Sequence, residues 1–258
     1  MDRRTFLLKS TAYLIGGYFG TSLFSKAFAH NLPTNQLGRP RIALIIDDIG
    51  FSFSRARWFL KLGIPITFAV LPRLPRTAEL ACEIQSQGHE IMLHQPMEPY
   101  NSDFDPGPGA LYVGDGINKI IHIMEENISD VPFIRGVNNH MGSRFTSRRK
   151  EIEDTLNAVK DNDLFFVDSF TTSHSMAYQT ARRLHIPAAC RNIFLDNIQH
   201  ESNIIRQLHK LKNHAHTFGH AVGIGHPFPE TARVIRRFLK NFENSGIELV
   251  HVSEILQT

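Results

Sequence analysis

The stretch that most constrains the fold is residues 41–50, R-I-A-L-I-I-D-D-I-G. Ile42 to Ile46 form an unbroken apolar run rich in β-branched side chains. Such a run suits a strand buried on both faces, as in a parallel sheet. It stops at two adjacent acids, Asp47 and Asp48, with Gly50 close behind. The carboxyl ends of parallel strands are where α/β proteins build their sites. Two carboxylates this close repel each other unless a cation or a proton intervenes. The pair therefore reads either as a metal ligand beside a base or as a helix-capping Asp with a solvated neighbour.

Beyond this strand the pattern alternates. Helical periodicity at 53–62, 75–87, 117–128, 150–161, 175–184, 198–218 and 231–242 separates short apolar runs at 66–71, 89–93, 133–137, 164–167, 186–190, 221–225 and 247–252. That alternation predicts an α/β chain with a single domain, an irregular, TIM-like (β/α) barrel of about seven strands with one site at its top. Residues 96–116 contain Asp105-Pro-Gly-Pro-Gly109 and follow a strand end, so they read as a lid or as a passive surface loop. His209, His214, His216 and His220 lie along one long helix and the turn after it, and read as a solvated face.

The first residues read as a targeting segment. Arg3-Arg4 precede Phe6-Leu7, a mildly apolar stretch covers 11–24, and Ala27-Phe28-Ala29 forms a small-x-small cleavage pattern. The paired arginines resemble the twin-arginine export signal of bacteria. The apolar stretch is shorter than the ~20 residues a span needs and is interrupted by Gly16, Gly17 and Gly20. The expectation is an export signal over 1–29, a barrel domain over 30–258, a periplasmic location and no stable membrane span once the signal is removed. Before His30, four basic residues stand against Asp2, a net charge of +3, and the whole chain also carries +3. The remainder is formally neutral, so the basic pI is no argument for nucleic acid, and none is expected as a partner. Cys82 and Cys190 sit in apolar settings and read as two buried free thiols.

Seven chemistry-bearing residues gather at the ends of five predicted strands: Asp47, Asp48, His94, Glu98, His140, Asp168 and His226. One imidazole or carboxylate at a strand end is ordinary polar packing; this many together point to a site. Catalytic zinc and similar ions take three N/O ligands and leave a position for water, whose pKa falls toward neutrality. A second carboxylate can then serve as base and an opposed imidazole as acid.

Strand-Asp-Asp-x-Gly, then Leu62-Gly-Ile-Pro-Ile-Thr-Phe68, then Gly88-His-Glu-Ile91 leading to His94, resembles the polysaccharide deacetylase (carbohydrate esterase 4) domain. The chain is most similar to a divergent branch of that family. His94-Gln-Pro-Met-Glu-Pro99, Asp105-Pro-Gly-Pro-Gly109, Asn138-Asn-His-Met-Gly-Ser143, Phe194-Leu-Asp-Asn197 and Gly223-Ile-Gly-His-Pro227 carry the likeness across 42–256. The resemblance implies a distorted barrel and metal-dependent removal of acetyl groups from amino sugars of a polysaccharide or peptidoglycan. It makes Asp47 the base, Asp48 a metal ligand and His226 the general acid, and aligns the family's metal-binding His motif with residues 94–99. The family's second metal His is Glu98 here, and its Arg-x-Pro-Tyr stretch is Asn138-Asn-His-Met141. On this reading His140 replaces the lost imidazole, and Asp48, His94 and His140 hold one divalent ion, zinc first among the candidates, with Glu98 either a further ligand or a partner beside the ligands. Asn138, Asn139 and Asp168 are expected to bind substrate. The alternative is a catalytically impaired glycan-binding or envelope scaffold protein on the same barrel.

Overall fold

The apolar run becomes β1 (Arg41–Ile49), buried along nearly its whole length and paired on both sides. The computed structural model describes residues 38–257, so the expected export signal lies outside the described residues. The chain divides into Met1–Gly38 and Arg39–Thr258, and everything below concerns the second unit. Its strands continue with β2 (Thr67–Val70), β3 (Glu90–Met97), β4 (Ile134–Met141), β5 (Phe165–Asp168), β6 (Ala188–Cys190), β7 (Ile193–Phe194), β8 (His220–Gly225) and β9 (Glu248–Val250). The helices are α1 (Phe53–Leu60), α2 (Thr77–Ser86), α3 (Ile117–Asp130), α4 (Arg149–Asp161), α5 (Ala177–Arg183), α6 (Glu201–Phe218) and α7 (Pro229–Asn244).

The strand ladders are all parallel, in the order β6-β5-β4-β3-β2-β1-β8-β7, with β9 also on β1. β6 and β7 stand at opposite ends of that order, yet only Arg191 and Asn192 separate them in the chain. The Arg191 amide donates to Asp168 O on the β5 side, and the Asn192 amide to Val222 O on the β8 side, each at 2.9 Å. The sheet therefore curls until its two ends meet in one kinked segment. With β6 and β7 taken as one, seven strands form the curled (β/α) barrel that the alternation predicts, and β9 lies beside β1 off that path.

Side-chain parity divides the core in two. Ile42, Leu44, Ile46, Phe68, Ile91, Leu93, Val137 and Phe166 face the helices. Ala43, Ile45, Ala69, Met92, Phe165, Val167, Val222 and Ile224 fill the barrel interior, closed at the base by Val250, Val252 and Ile255. Burying each of these side chains larger than alanine contributes roughly 1.5–3 kcal/mol. Gly136 is required by this filling, because a Cβ there would collide with the Phe165 ring.

The structure departs from the sequence pattern at several points. β3 and β4 run on through Met97 and Met141, because seven register pairs zip them together, among them His94 with Asn138 and Pro96 with His140. The predicted strand stops at 137, but the structure carries it on through 138–141. The loop after β3 is pinned on its return limb, where Leu111 N donates to Pro96 O (3.0 Å) and Glu98 N to Leu111 O (2.9 Å). Gly109 O accepts from both Gln95 Nε2 (2.9 Å) and Asn127 Nδ2 (2.8 Å). That limb is fastened to the barrel top, and Tyr100 on the outgoing limb is held by Ser143 and Ser147. Both cysteines are free thiols, but neither is fully buried as expected: Cys190 is half-buried, and Cys82 is exposed because it falls off the stripe Leu80, Ala81, Ile84 that α2 buries. Among the described residues no helix is long and apolar enough to cross a membrane.

Candidate metal centre

The alternation that fills the barrel also aims the site. Inward parity runs from Ala43 and Ile45 to Asp47, from Met92 to His94, from Gly136 to Asn138 and His140, and from Val222 and Ile224 to His226. Asp48 should point outward, but it adopts φ 56°, and the β1–β2 register shifts between Ile46 and Ile49. Asp tolerates this left-handed conformation better than most residues. The irregularity turns Asp48 back toward the barrel axis, so two successive acids serve one site.

Three donor atoms then converge. Asp48 Oδ1 lies 3.1 Å from His94 Nε2 and 3.0 Å from His140 Nδ1, and the two ring nitrogens are 3.1 Å apart. Ligands that share a cation at about 2.0–2.1 Å in a tetrahedral shell stand about 3.3 Å apart, so this donor set fits one divalent ion. Among the described residues it is the group of His, Cys, Asp and Glu side chains close enough to hold a metal. The charges agree with the fit. Burial opposes the Asp48 carboxylate, yet hydrogen bonds from His140 and His94 hold its pKa far below the usual range. Burial likewise opposes a charged His94, but Asp47 and Asp48 outweigh it and raise its pKa.

Asn138 organises the centre from behind. Its Oδ1 accepts from His94 Nδ1 at 2.8 Å, which leaves the Nε2 lone pair directed at the donor triangle. Its Nδ2 donates to Asp47 Oδ1 (2.9 Å) and Ser169 Oγ (3.2 Å). Asp47 is 2% exposed, and burial, partly opposed by the charges of His94 and His226, raises its pKa. Across the centre, His226 Nδ1 is 2.8 Å from Asp196 Oδ1. Asp196 Oδ2 also accepts from the His226 amide and Thr231 Oγ1, each at 2.7 Å. Burial alone would lower the His226 pKa, but Asp196, then Asp48 and Asp47, raise it to about 9. Phe194 stacks on the His226 ring at 6.0 Å, and the Arg191 guanidinium lies 3.7 Å from the Phe194 ring centre.

Four of the expected site residues are placed otherwise. Glu98 is not part of the donor triangle: Oε1 pairs with Arg144 (2.7 Å) and Oε2 accepts from the Val113 amide (2.8 Å), so it fastens two loops at the barrel rim. Asp168 lies on the helix-facing side of β5, 1% exposed, and accepts from Ser175 Oγ and the amides of Phe170 and Tyr178. Asn139 also faces outward, 1% exposed, bonded to Ser169 N and Met141 O. Asn138, fully buried, spends its amide inside the site. None of these last three has surface to offer a substrate. Asp196 and Ser169 belong to the site without having been assigned a part; Asp196 lies within the motif 194–197, where its inward neighbour His226 was the missing clue.

The family described as divergent polysaccharide deacetylase matches residues 44–256. The uncharacterized protein YibQ of Escherichia coli K12 is 31% identical over 216 residues, which span 84% of this chain and 67% of YibQ. An uncharacterized protein of Agrobacterium tumefaciens C58 has a solved structure that superposes with a TM-score of 0.79 at 25% identity, covering 86% of this chain and 94% of that one. Two further solved structures share the fold alone. A peptidoglycan N-acetylglucosamine deacetylase gives a TM-score of 0.54 at 13% identity, covering 88% and 91% of the two chains. A mutant CE4 family pseudoenzyme from Bacillus anthracis, described as having restored enzymatic activity, gives 0.51 at 11%, covering 85% and 68%.

Proposed function

The chain belongs to the divergent polysaccharide deacetylase family, and on that premise we propose that it is a metal-dependent hydrolase removing N-acetyl groups from an envelope or exported polysaccharide. The observation that carries this reading is the donor triangle of Asp48, His94 and His140, with a buried carboxylate and a carboxylate-backed imidazole beside it. Those three residues would hold one divalent ion, zinc first among the candidates, and such an ion supplies Lewis-acid chemistry to a carbonyl and to water. Asp47, whose burial raises its proton affinity, accepts a proton as water adds to the acetyl carbonyl carbon. The C–N bond then breaks, and His226, kept protonated by Asp196, gives its proton to the departing sugar amine. Acetate and a free amine leave. The twin-arginine-like start of the chain supports a periplasmic setting.

The fold alone does not guarantee turnover, since a CE4 family pseudoenzyme shares it. This favours a second reading, a glycan-binding or envelope scaffold protein. Against it stand Asp47 and His226, because a binder needs neither a base nor an acid. The test is acetate release by metal-loaded protein from a panel of N-acetylated glycans that includes peptidoglycan. Asp47→Asn should retain metal and lose roughly 10²–10⁴ in turnover. No release from any glycan, with tight glycan binding unchanged in Asp47→Asn, would establish the scaffold reading.

A further inference from the structure

Three neighbouring helices carry charge that the deacetylase reading does not use. α6, α7 and α1 stand side by side around the barrel. Lys212 Nζ of α6 donates to Asn241 Oδ1 of α7 (2.8 Å), Arg237 of α7 pairs with Glu201 of α6, and Arg236 Nη2 of α7 donates to Lys61 O at the end of α1 (3.4 Å). Counting Lys61 with α1, the three helices hold ten basic residues against three acidic ones, a net charge of +7. The unit Arg39–Thr258 holds 24 residues of each sign, so the rest of it carries −7. A formally neutral body divided in this way presents one cationic wall.

A groove of about 370 Å³ opens in that wall between Trp58 and Lys61 on one side and Pro229, Ala232, Arg233 and Arg236 on the other. Arg233 spends part of its charge on Glu230, at 3.0 Å. Lys61 and Arg236 are exposed, lie together, and have no acidic side chain within ion-pair distance among the described residues. Trp58, the chain's one tryptophan, is half-buried beside them. Free cations next to an indole suit a ligand with an anionic head and a hydrocarbon body. The extent of the wall narrows the source. α6 and α7 run for 18 and 16 residues, about 27 and 24 Å, with α1 alongside. Cations spread over three helices match a surface of many anionic heads, whereas a single polymer strand would need only one row.

We propose that the α6–α7–α1 wall docks the protein on an anionic phospholipid surface, with a headgroup phosphate in the groove beside Lys61 and Arg236. Docked this way the barrel lies on the bilayer, and Trp58 sits at the headgroup level where indole rings are favoured. Each Lys or Arg near such a surface strengthens binding ~5-fold, an effect that salt screens. Pro229, in the groove, follows His226 by three residues, so docking brings that edge of the metal centre close to the lipid. The surface does not depend on turnover at the centre.

Co-sedimentation of the full chain with vesicles, read beside Trp58 emission, tests this. Vesicles of phosphatidylcholine with ~30% phosphatidylglycerol should bind it, phosphatidylcholine alone should not, and ~0.5 M salt should release it. Lys61→Glu combined with Arg236→Glu should weaken binding more than ~10-fold. Lys150→Glu combined with Lys160→Glu on α4, the same change in net charge, should leave it intact. The basic residues ahead of Gly38 are common to every variant, so that contrast belongs to the wall. In unmodified protein, Trp58 emission should shift to the blue and become shielded from acrylamide on binding, which covers the case of a variant that fails to fold. Equal binding to both vesicles, equal losses in the two double variants, Trp58 emission unmoved by bound vesicles, or retention by soluble polygalacturonate but not by vesicles would each overturn the proposal.

Discussion

Replacing Asp196 with Asn removes a charge while nearly preserving shape, and its effect can be worked from the contacts. The Asp196 side chain is fully buried and accepts from His226 Nδ1 at 2.8 Å and from the His226 amide and Thr231 Oγ1, each at 2.7 Å. Burial pushes the His226 pKa down, and Asp196 leads the groups that lift it to about 9. With that carboxylate gone, only Asp48 and Asp47 still oppose burial, and the ring should titrate near its ordinary ~6.5. A fall of this size corresponds to about 3 kcal/mol of differential interaction between the two protonation states. At about pH 7.5 the protonated fraction drops about tenfold, and turnover should drop with it if His226 supplies the leaving-group proton. Stability follows the same linkage. Because the folded-state pKa is raised, the charged ring stabilises the fold fully below ~6.5, and that contribution is lost as pH climbs through about 9. Asp196→Asn should flatten this decline. Imidazole NMR titration of metal-free protein, with kcat/KM against pH for metal-loaded protein, reads both effects. A His226 that still titrates near 9 in the variant, or an alkaline limb that does not move, would refute the reasoning.

Other outcomes follow from the same geometry. Glu98→Gln should leave metal content at the wild-type level and lower the melting temperature, because the carboxylate holds Arg144 and the Val113 amide rather than an ion; metal loss would return Glu98 to the donor set. Asn138→Leu should weaken metal affinity ~10–100-fold by freeing the His94 ring. It should also cost about 1–3 kcal/mol in urea denaturation, since buried partners are left unpaired. Arg3→Lys combined with Arg4→Lys should leave precursor in the cytoplasm; normal periplasmic delivery of the double variant would replace the twin-arginine route with an ordinary secretory one.

Much of the site was legible because acids and imidazoles were displaced from where packing would put them. Asp47 and Asp48 interrupt an apolar strand, His94 and His226 end two others, and His140 stands in a polar stretch with no core role to fill. Glu98 stands outside the donor triangle for a physical reason: position in a motif tells where a side chain starts, while its partners decide where it ends. Arg144 and the Val113 amide, supplied by two different loops, claim both of its oxygens. The strand extent of 134–141 was hidden because Asn, Asn and His form strand here only through pairing with β3. β7, two residues long, is too short to leave a period.

By itself, then, the sequence determined the alternation of strand and helix, the barrel class, and which strand ends carry chemistry. Hydrophobic runs and their breaks are local properties and survive in the unfolded chain. Which way each end residue points was decided only by tertiary structure. A strand buried on both faces has no polar alternation to read, so the apolar residues leading to Asp168 look the same as those leading to His226. Curling of the sheet makes one face interior and the other helix-facing. That step sends Asp168 and Asn139 out of the site and brings Asp47, His94, Asn138, His140 and His226 toward one point. The turn of Asp48 into the same point needs a register shift between β1 and β2 that exists only once the two strands pair.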